Sequence, residues 1–413
     1  MSLIFDIRNY GAIGDAKTDC TAALQAAVDA ASAQGGGTVL VEHGTFLFYP
    51  FRLKSNVRLE VAWDAVMLAG PDPERYFIIP KNPYWNTDLA LRNNRRCVIY
   101  AEGAEHIAIC GQGRFDFNGT SFVNVDPAVQ EFHGHWKRKS DTMIPGRALF
   151  FVGCRDIRLE DLTLTNPAGW FTWFLDCENV LCRGLTITSS LCMPNSDGLH
   201  FGSCRNVRVS DCDIHTGDDC IIIRGMQEQF DSPKPCENVT VSNCILQSST
   251  AAVRIGWTHD FEHRNVTFSN IIIRESRDGF SMIVPPMRFP QPDPPRYDDT
   301  PTPYPDVQPF AAENFLITNV NADTHGPILN IALDPLAPVA YVRNIALRDV
   351  NAISDVPPRV VATPDQHVSN LEFTNVTLTL RPLPGKPDGA NAAMHFQNAE
   401  NVILNNFRIL KSC

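Results

Sequence analysis

Residues 204–214 read CRNVRVSDCDI and residues 236–246 read CENVTVSNCIL. Each opens on a cysteine, sets an asparagine two places later, and continues with alternating apolar positions. The phrase recurs as CRDIRLEDLTL from Cys154, CENVLCRGLTI from Cys177, HRNVTFSNIII from His263 and AENFLITNVNA from Ala312. It returns as VRNIALRDVNA from Val342, VSNLEFTNVTL from Val368 and AENVILNNFRI from Ala399. The anchors are Asp156, Asn179, Asn206, Asn238, Asn265, Asn314, Asn344, Asn370 and Asn401; most gaps are 23 to 32 residues, and one of 49 holds an insertion. Looser coils precede them around Asn56 and His106.

Val, Ile, Leu and Thr alternating at period two is strand chemistry, because branched side chains fit a pleated surface. Strand-only repeats of this length predict an all-β fold: a right-handed, single-stranded parallel β-helix in which each coil pairs with the next. A propeller blade needs about 40 to 50 residues, too long for this period. A fixed Asn suits a ladder of stacked amides that tolerates left-handed backbone. Cys154, Cys177, Cys204 and Cys236 share one place in the repeat, which predicts a buried, reduced stack rather than disulfides.

Outward from the repeat, residues 1–413 read as a single β-helix domain with a cap over 1–50. The cap holds an amphipathic helix over about Cys20–Ala31, with Thr18 or Asp19 as its cap and Gly35-Gly36-Gly37 as its end. Strands Thr38–Val41 and Thr45–Phe48 follow. Two insertions interrupt the rhythm: 118–146, with a basic run from His135 to Lys139, and the Pro-rich 285–310. The Pro-rich loop is expected to wall a substrate groove, with a neighbour contact or a roleless excursion as alternatives, and the basic run to be an electrostatic wall for an acidic glycan or a solvated loop.

The net charge of −11 argues against nucleic acid and anionic membranes as partners, since both require a basic face. No apolar run approaches a membrane span. The start MSLIFD lacks the basic and apolar regions of a signal peptide, which favours the cytoplasm, or a secreted or periplasmic address if a leader has been removed. No metal-type Cys-x-x-Cys pair occurs, so no zinc site and no cofactor are expected. The sequence does not speak to oligomeric state.

The chemistry concentrates in Asn195-Ser196-Asp197-Gly198 and Thr216-Gly217-Asp218-Asp219-Cys220. Asp197 precedes Asp218 and Asp219 by 21 and 22 residues, one coil. Neighbouring coils lie about 4.8 Å apart, so the three carboxylates form one cluster and cannot all ionise at the usual pH. A protonated acid beside an ionised base is what glycosidic cleavage requires. Trp170 or Trp173 is placed alongside as a sugar platform, with Arg224, Arg254 and Arg277 around it.

At these residues the chain resembles glycoside hydrolase family 28, the polygalacturonase family, within the pectin lyase-like β-helix superfamily. The Asn-Thr-Asp motif matches Asn195-Ser196-Asp197, the Gly-Asp-Asp motif matches Gly217-Asp218-Asp219, and the following basic residue matches Arg224. The resemblance implies a glycosidase: Asp218 as general acid, Asp197 and Asp219 holding water, an inverted anomeric centre, and a pectin-like carbohydrate, uronate-bearing or not, as partner. It implies substrate contacts at Asn195, His200, Arg224, Arg254, Trp170 and Arg277. Two family motifs are missing. The Gly-His-Gly histidine falls at Ala251, and the Arg-Ile-Lys motif falls near Ser281-Met282-Ile283. Arg254, His200 and His215 are the expected replacements; His259 and His263 read as a solvated turn. A lyase or epimerase using calcium, and a non-catalytic glycan-binding β-helix, remain alternatives.

Overall fold

A computed structural model describes residues 3–76, 96–140, 143–227, 230, 232–284, 307–382 and 393–411. Most of the Pro-rich insertion, 285–306, lies outside the described residues, so the expected wall there has no structural account. The fold is the expected right-handed parallel β-helix. Strands of successive coils pair in parallel into one sheet of twenty strands and one of eleven. The larger sheet bends. In middle coils it holds two strands per turn, such as Arg205–Ser210 and Asp213–Thr216, which later fuse into single long strands such as Cys236–Ser248. The smaller sheet stacks Trp170–Leu175, Leu199–Gly202, Ile221–Arg224, Ala251–Ile255 and Asp278–Val284.

Inward positions fill the solenoid with Val, Ile, Leu and Phe. Phe151, Phe174 and Phe201 stack along the axis, ring centroids 5.1 and 5.2 Å apart. The cysteine column is buried and carries free thiols, as expected. One feature of that column was not expected: Cys236 pairs with His263, and His263 with Ala312. His263 is fully buried, so it belongs to the interior and not to a solvated turn.

The asparagine ladder is present. Asn179, Asn206, Asn238 and Asn265 sit at φ of 57° to 60°, and each amide donates to the residue one coil earlier at 3.0 to 3.2 Å. A second ladder lies five residues on, through Asp211, Asn243, Asn270 and Asn319, with bonds of 2.7 to 3.1 Å. Left-handed backbone at a non-glycine residue costs about 1–2 kcal/mol, least for Asn. Asn238→Ala is therefore expected to lose roughly 2 kcal/mol of unfolding free energy in urea titrations, since two ladder bonds and the favoured residue go together. Asn238→Gly should lose less, because glycine accepts the same φ.

The cap helix, α1, spans Thr21–Ala33 and buries Ala23, Leu24, Ala27, Val28 and Ala31 over the first coil. Its N-cap position is Cys20, not Thr18 or Asp19, and Cys20 makes no side-chain cap bond. Asp19 nevertheless accepts from the Thr21 amide at 2.9 Å, so a carboxylate still meets the positive helix end. Among the described residues no helix is long and apolar enough to cross a membrane.

Candidate active site

Strand register explains how two short motifs meet. Leu199 pairs with Ile221, which sets Asp197 directly before Asp219 on adjacent coils. Ala251, which pairs with Asp278, follows Asp219 in the same outward column. Asp218 occupies the turn that enters the strand. One oxygen from each of Asp197, Asp218 and Asp219 lies within 4.8 Å of the others.

The glycines and hydroxyls of the motifs hold this turn. A Cβ on Gly217 would meet the Met193 carbonyl at 2.3 Å, and one on Gly198 the Cys220 carbonyl at 2.3 Å, so no larger residue fits. The Gly217 amide donates to Ser196 Oγ at 2.8 Å, and Thr216 and Ser248 hydroxyls each donate to the Asp218 carbonyl at 2.7 Å.

Each carboxylate has a distinct environment. Asp219 receives Arg254 Nε at 3.0 Å, Arg254 Nη2 at 3.3 Å, the Ala251 amide at 2.9 Å and Thr250 Oγ1 at 2.7 Å. Asp218 receives its neighbour's amide at 2.9 Å, Thr250 Oγ1 at 2.9 Å and Asn195 Nδ2 at 3.2 Å. Burial, then the charge of Asp219, pushes Asp218 up to about 6. Asp197 is buried and its Oδ1 has no partner. Burial and the charges of Asp218 and Asp219 hold it well above the usual carboxylate range. The group thus titrates as a coupled set that keeps a proton near neutrality.

The surrounding residues named from sequence sit less openly than expected. Arg254 is buried and turned onto Asp219, with Nη1 to Ser281 Oγ at 3.3 Å. Arg224 makes two 2.6 Å bonds to Asp260. Burial pushes Asp260 up, but the Arg224 charge more than offsets this and leaves it below the ordinary range. His263 Nε2 accepts from the Gly225 amide at 2.8 Å while Nδ1 meets the Ala311 carbonyl at 3.2 Å. Replacing Arg224 by Met would strand Asp260, so a stability loss of about 3–5 kcal/mol is expected in thermal unfolding. Trp170 is covered on both faces: Arg147 Cζ lies 3.4 Å from its ring centroid, and the His200 ring stacks at 4.0 Å. It is therefore no open sugar platform. His200 faces outward yet is buried, and burial drives it well below the usual imidazole range. His215 is half-buried on the outer side of its strand, while Arg277 is exposed beside Asp278.

Arg147, Asp278 and Trp257 escaped the sequence reading, as did the contacts made by the 118–146 insertion. The 118–146 insertion forms a hairpin, Val123–Asn124 with Lys137–Arg138, that runs along the catalytic turns. Its His135 Nε2 reaches the Gly217 carbonyl at 2.7 Å and Ser249 Oγ at 3.1 Å, and its Phe132 packs on His325 at 5.0 Å. A histidine thus reaches the acid turn from a loop, though the aligned coil offers only Ala251. Arg147 and Asp278 lie on the outward column itself, which strand register would have flagged. Trp257, 41% exposed with Arg254 5.3 Å from its ring, is an open aromatic on the Arg254 side of the trio.

Residues 85–232 match the profile described as Glycosyl hydrolases family 28. A probable polygalacturonase of Vitis vinifera is 29% identical over 226 residues, 54% of this chain and 44% of the relative. An exopolygalacturonase of Zea mays is 24% identical over 306 residues, 68% of this chain and 69% of the relative. The alignment with polygalacturonase QRT2 of Arabidopsis thaliana covers 62% of that protein; the chain thus spans between under half and about two thirds of the curated relatives it matches. In three dimensions it resembles a hyperthermoactive exopolygalacturonase from Thermotoga maritima, with a TM-score of 0.74 and 20% identity over 98% of this chain and 92% of that one. The resemblance to family 28 expected from the Asp motifs is borne out, with the profile matching over residues 85–232.

Proposed function

We propose that this relative of glycoside hydrolase family 28 hydrolyses a glycosidic bond in a pectin-like, uronate-bearing poly- or oligosaccharide by acid–base inversion. The observation that supports it is the trio of aspartates within 4.8 Å on adjacent coils, two of them held above the usual carboxylate range. Asp218 carries the proton and delivers it to the leaving oxygen. Asp197, with a free Oδ1, accepts a hydrogen bond from the attacking water and positions it. Asp219, fixed by Arg254, Thr250 and the Ala251 amide, takes the proton of that water and supplies negative charge to the oxocarbenium-like transition state. The trio is tighter than the roughly 6.5–9.5 Å of most inverting pairs. Inversion therefore rests on the family resemblance, and spacing alone would suggest retention.

The test is a release assay over acidic and neutral glycans, with the new anomer followed by proton NMR. Reducing ends with inverted configuration, unaffected by a chelator, are expected. An unsaturated product absorbing in the ultraviolet, or chelator-sensitive activity, would replace hydrolysis by a lyase reaction. Because the acid must be protonated, kcat should fall as pH rises through about 6. A profile that keeps climbing to pH 8 would remove Asp218 from the acid role.

A further inference from the structure

Four buried polar atoms beside the trio have no protein partner: Arg147 Nε, His200 Nδ1, His200 Nε2 and Asp197 Oδ1. They belong to one region. Arg147 pairs in register with Trp170, and Phe174 with Phe201, which sets Trp170 directly before Asp197. The outward column therefore runs Arg147, Trp170, Asp197, Asp219. Buried polar groups nearly always find partners, so four orphans along one column point to a polar ligand.

Arg147 is the most demanding of them. It is 4% exposed, lies flat on Trp170 and packs 4.9 Å from the Trp173 ring. Its Nη1 donates to the Gly146 carbonyl at 2.6 Å. Among the described residues no carboxylate comes within ion-pair distance of it. Burial opposes its charge most; the charge of Asp197 supports it from beyond ion-pair distance, and that of Arg138 opposes it. The other two guanidiniums beside the site, half-buried Arg224 and buried Arg254, are paired with Asp260 and Asp219. A buried cation without a counter-ion is costly to keep, unless a ligand brings the missing charge. Two coil spacings, roughly 9–10 Å, separate its backbone from that of Asp197, with Trp170 on the coil between them.

We infer that Arg147 is the receptor for the carboxylate of a uronate bound on the N-terminal side of the aspartate trio, with His200 meeting a hydroxyl of the same sugar. A guanidinium fork accepts a carboxylate through two parallel bonds, and the Trp170 face holds the fork flat. His200, neutral where it is buried, offers one donor and one acceptor, which suits a hydroxyl. The inference rests on the hydrolytic reading above and adds to it the residue that selects an acidic sugar. It also accounts for an acid-sugar site lacking basic residues at Ala251 and Ser281-Met282-Ile283.

The experiment compares kcat/KM on oligogalacturonate and on its methyl ester for the wild type, Arg147→Gln and Arg147→Lys. Arg147→Gln should lose at least about 30-fold on the acid, mostly through KM, and change less than about threefold on the ester. Arg147→Lys, which keeps the charge but not the fork, should fall between. Equal losses on both substrates would make Arg147 a positioning residue acting through Asp197, and an unchanged preference would dismiss it; either overturns the inference. Should Arg147→Gln not fold, the Lys variant and calorimetric titration of trigalacturonate into the Asp218→Asn protein with and without Arg147→Lys give the same reading. A wild type inactive on both glycans overturns the hydrolytic reading instead, and the titration still decides Arg147.

Discussion

Asp218→Asn is expected to lower kcat by about 10³-fold or more while raising the unfolding temperature at pH 7.5. The first part follows from the role of the group. Proton delivery by a positioned acid contributes about 10²–10⁴ in rate, and Asn keeps the volume and one acceptor but has no acidic proton. The second part follows from linkage. The folded-state value of Asp218, about 6, lies above its ordinary 3.8, so the folded protein binds this proton more tightly than the unfolded chain. That contribution to stability is fully present below pH 4 and is lost as pH rises through 6. Above it, the ionised carboxylate sits beside Asp219 and Asp197 at a cost of about 1–2 kcal/mol, reduced because part of its surface reaches solvent. Asn removes the charge, so the gain should be visible at pH 7.5 and nearly absent at pH 4. Calorimetry at the two values, with turnover measured on the same samples, checks both halves. Full turnover, or a lower melting temperature at pH 7.5, would sink the assignment.

The sequence carried the scaffold because a solenoid repeats its own instructions. Asn206, Asn238 and Asn265 announce the coil, and Asp197 and Asp218 stand one coil apart whatever the packing. The second ladder through Asn243 and Asn270 was equally periodic, but the first anchor drew the eye. What the sequence hid depends on direction and reach. Nothing local tells that Arg254 turns back onto Asp219 or that Arg224 is taken by Asp260. Nor does it tell that Trp170 has a ring or a guanidinium on each face. The contact of His135 was hidden for another reason: it arrives from a hairpin some eighty residues before Gly217, and loop contacts follow no period. The missing family histidine at Ala251 was legible, but not the loop histidine beside that coil.

Arg254→Met should be the most damaging single change outside the trio, in both stability and rate. The guanidinium lies between two buried acids. It bonds Asp219 through Nε and Nη2, and Asp278, two coils along the same column, lies within its field. Burial already holds Asp278 above the usual range, with Asn330 offsetting part of that. Methionine fills the volume and leaves Asp219 without its cation. Breaking a buried pair from one side costs about 3–5 kcal/mol, because the remaining charge is uncompensated. The cluster can relieve this by binding another proton, which deprives the water of an ionised neighbour. The acid limb of kcat/KM should then move to higher pH and kcat should fall by about 10² or more. A substrate clamp predicts something different: a rise in KM confined to acidic sugars, with the pH limb unmoved. Combining Arg254→Met with Asp219→Asn separates the two further. The double variant should regain most of the lost stability, since no orphan charge remains, yet regain none of the rate. A double variant as unstable as Arg254→Met alone would mean that Arg254 acts through packing and not through its bond to Asp219.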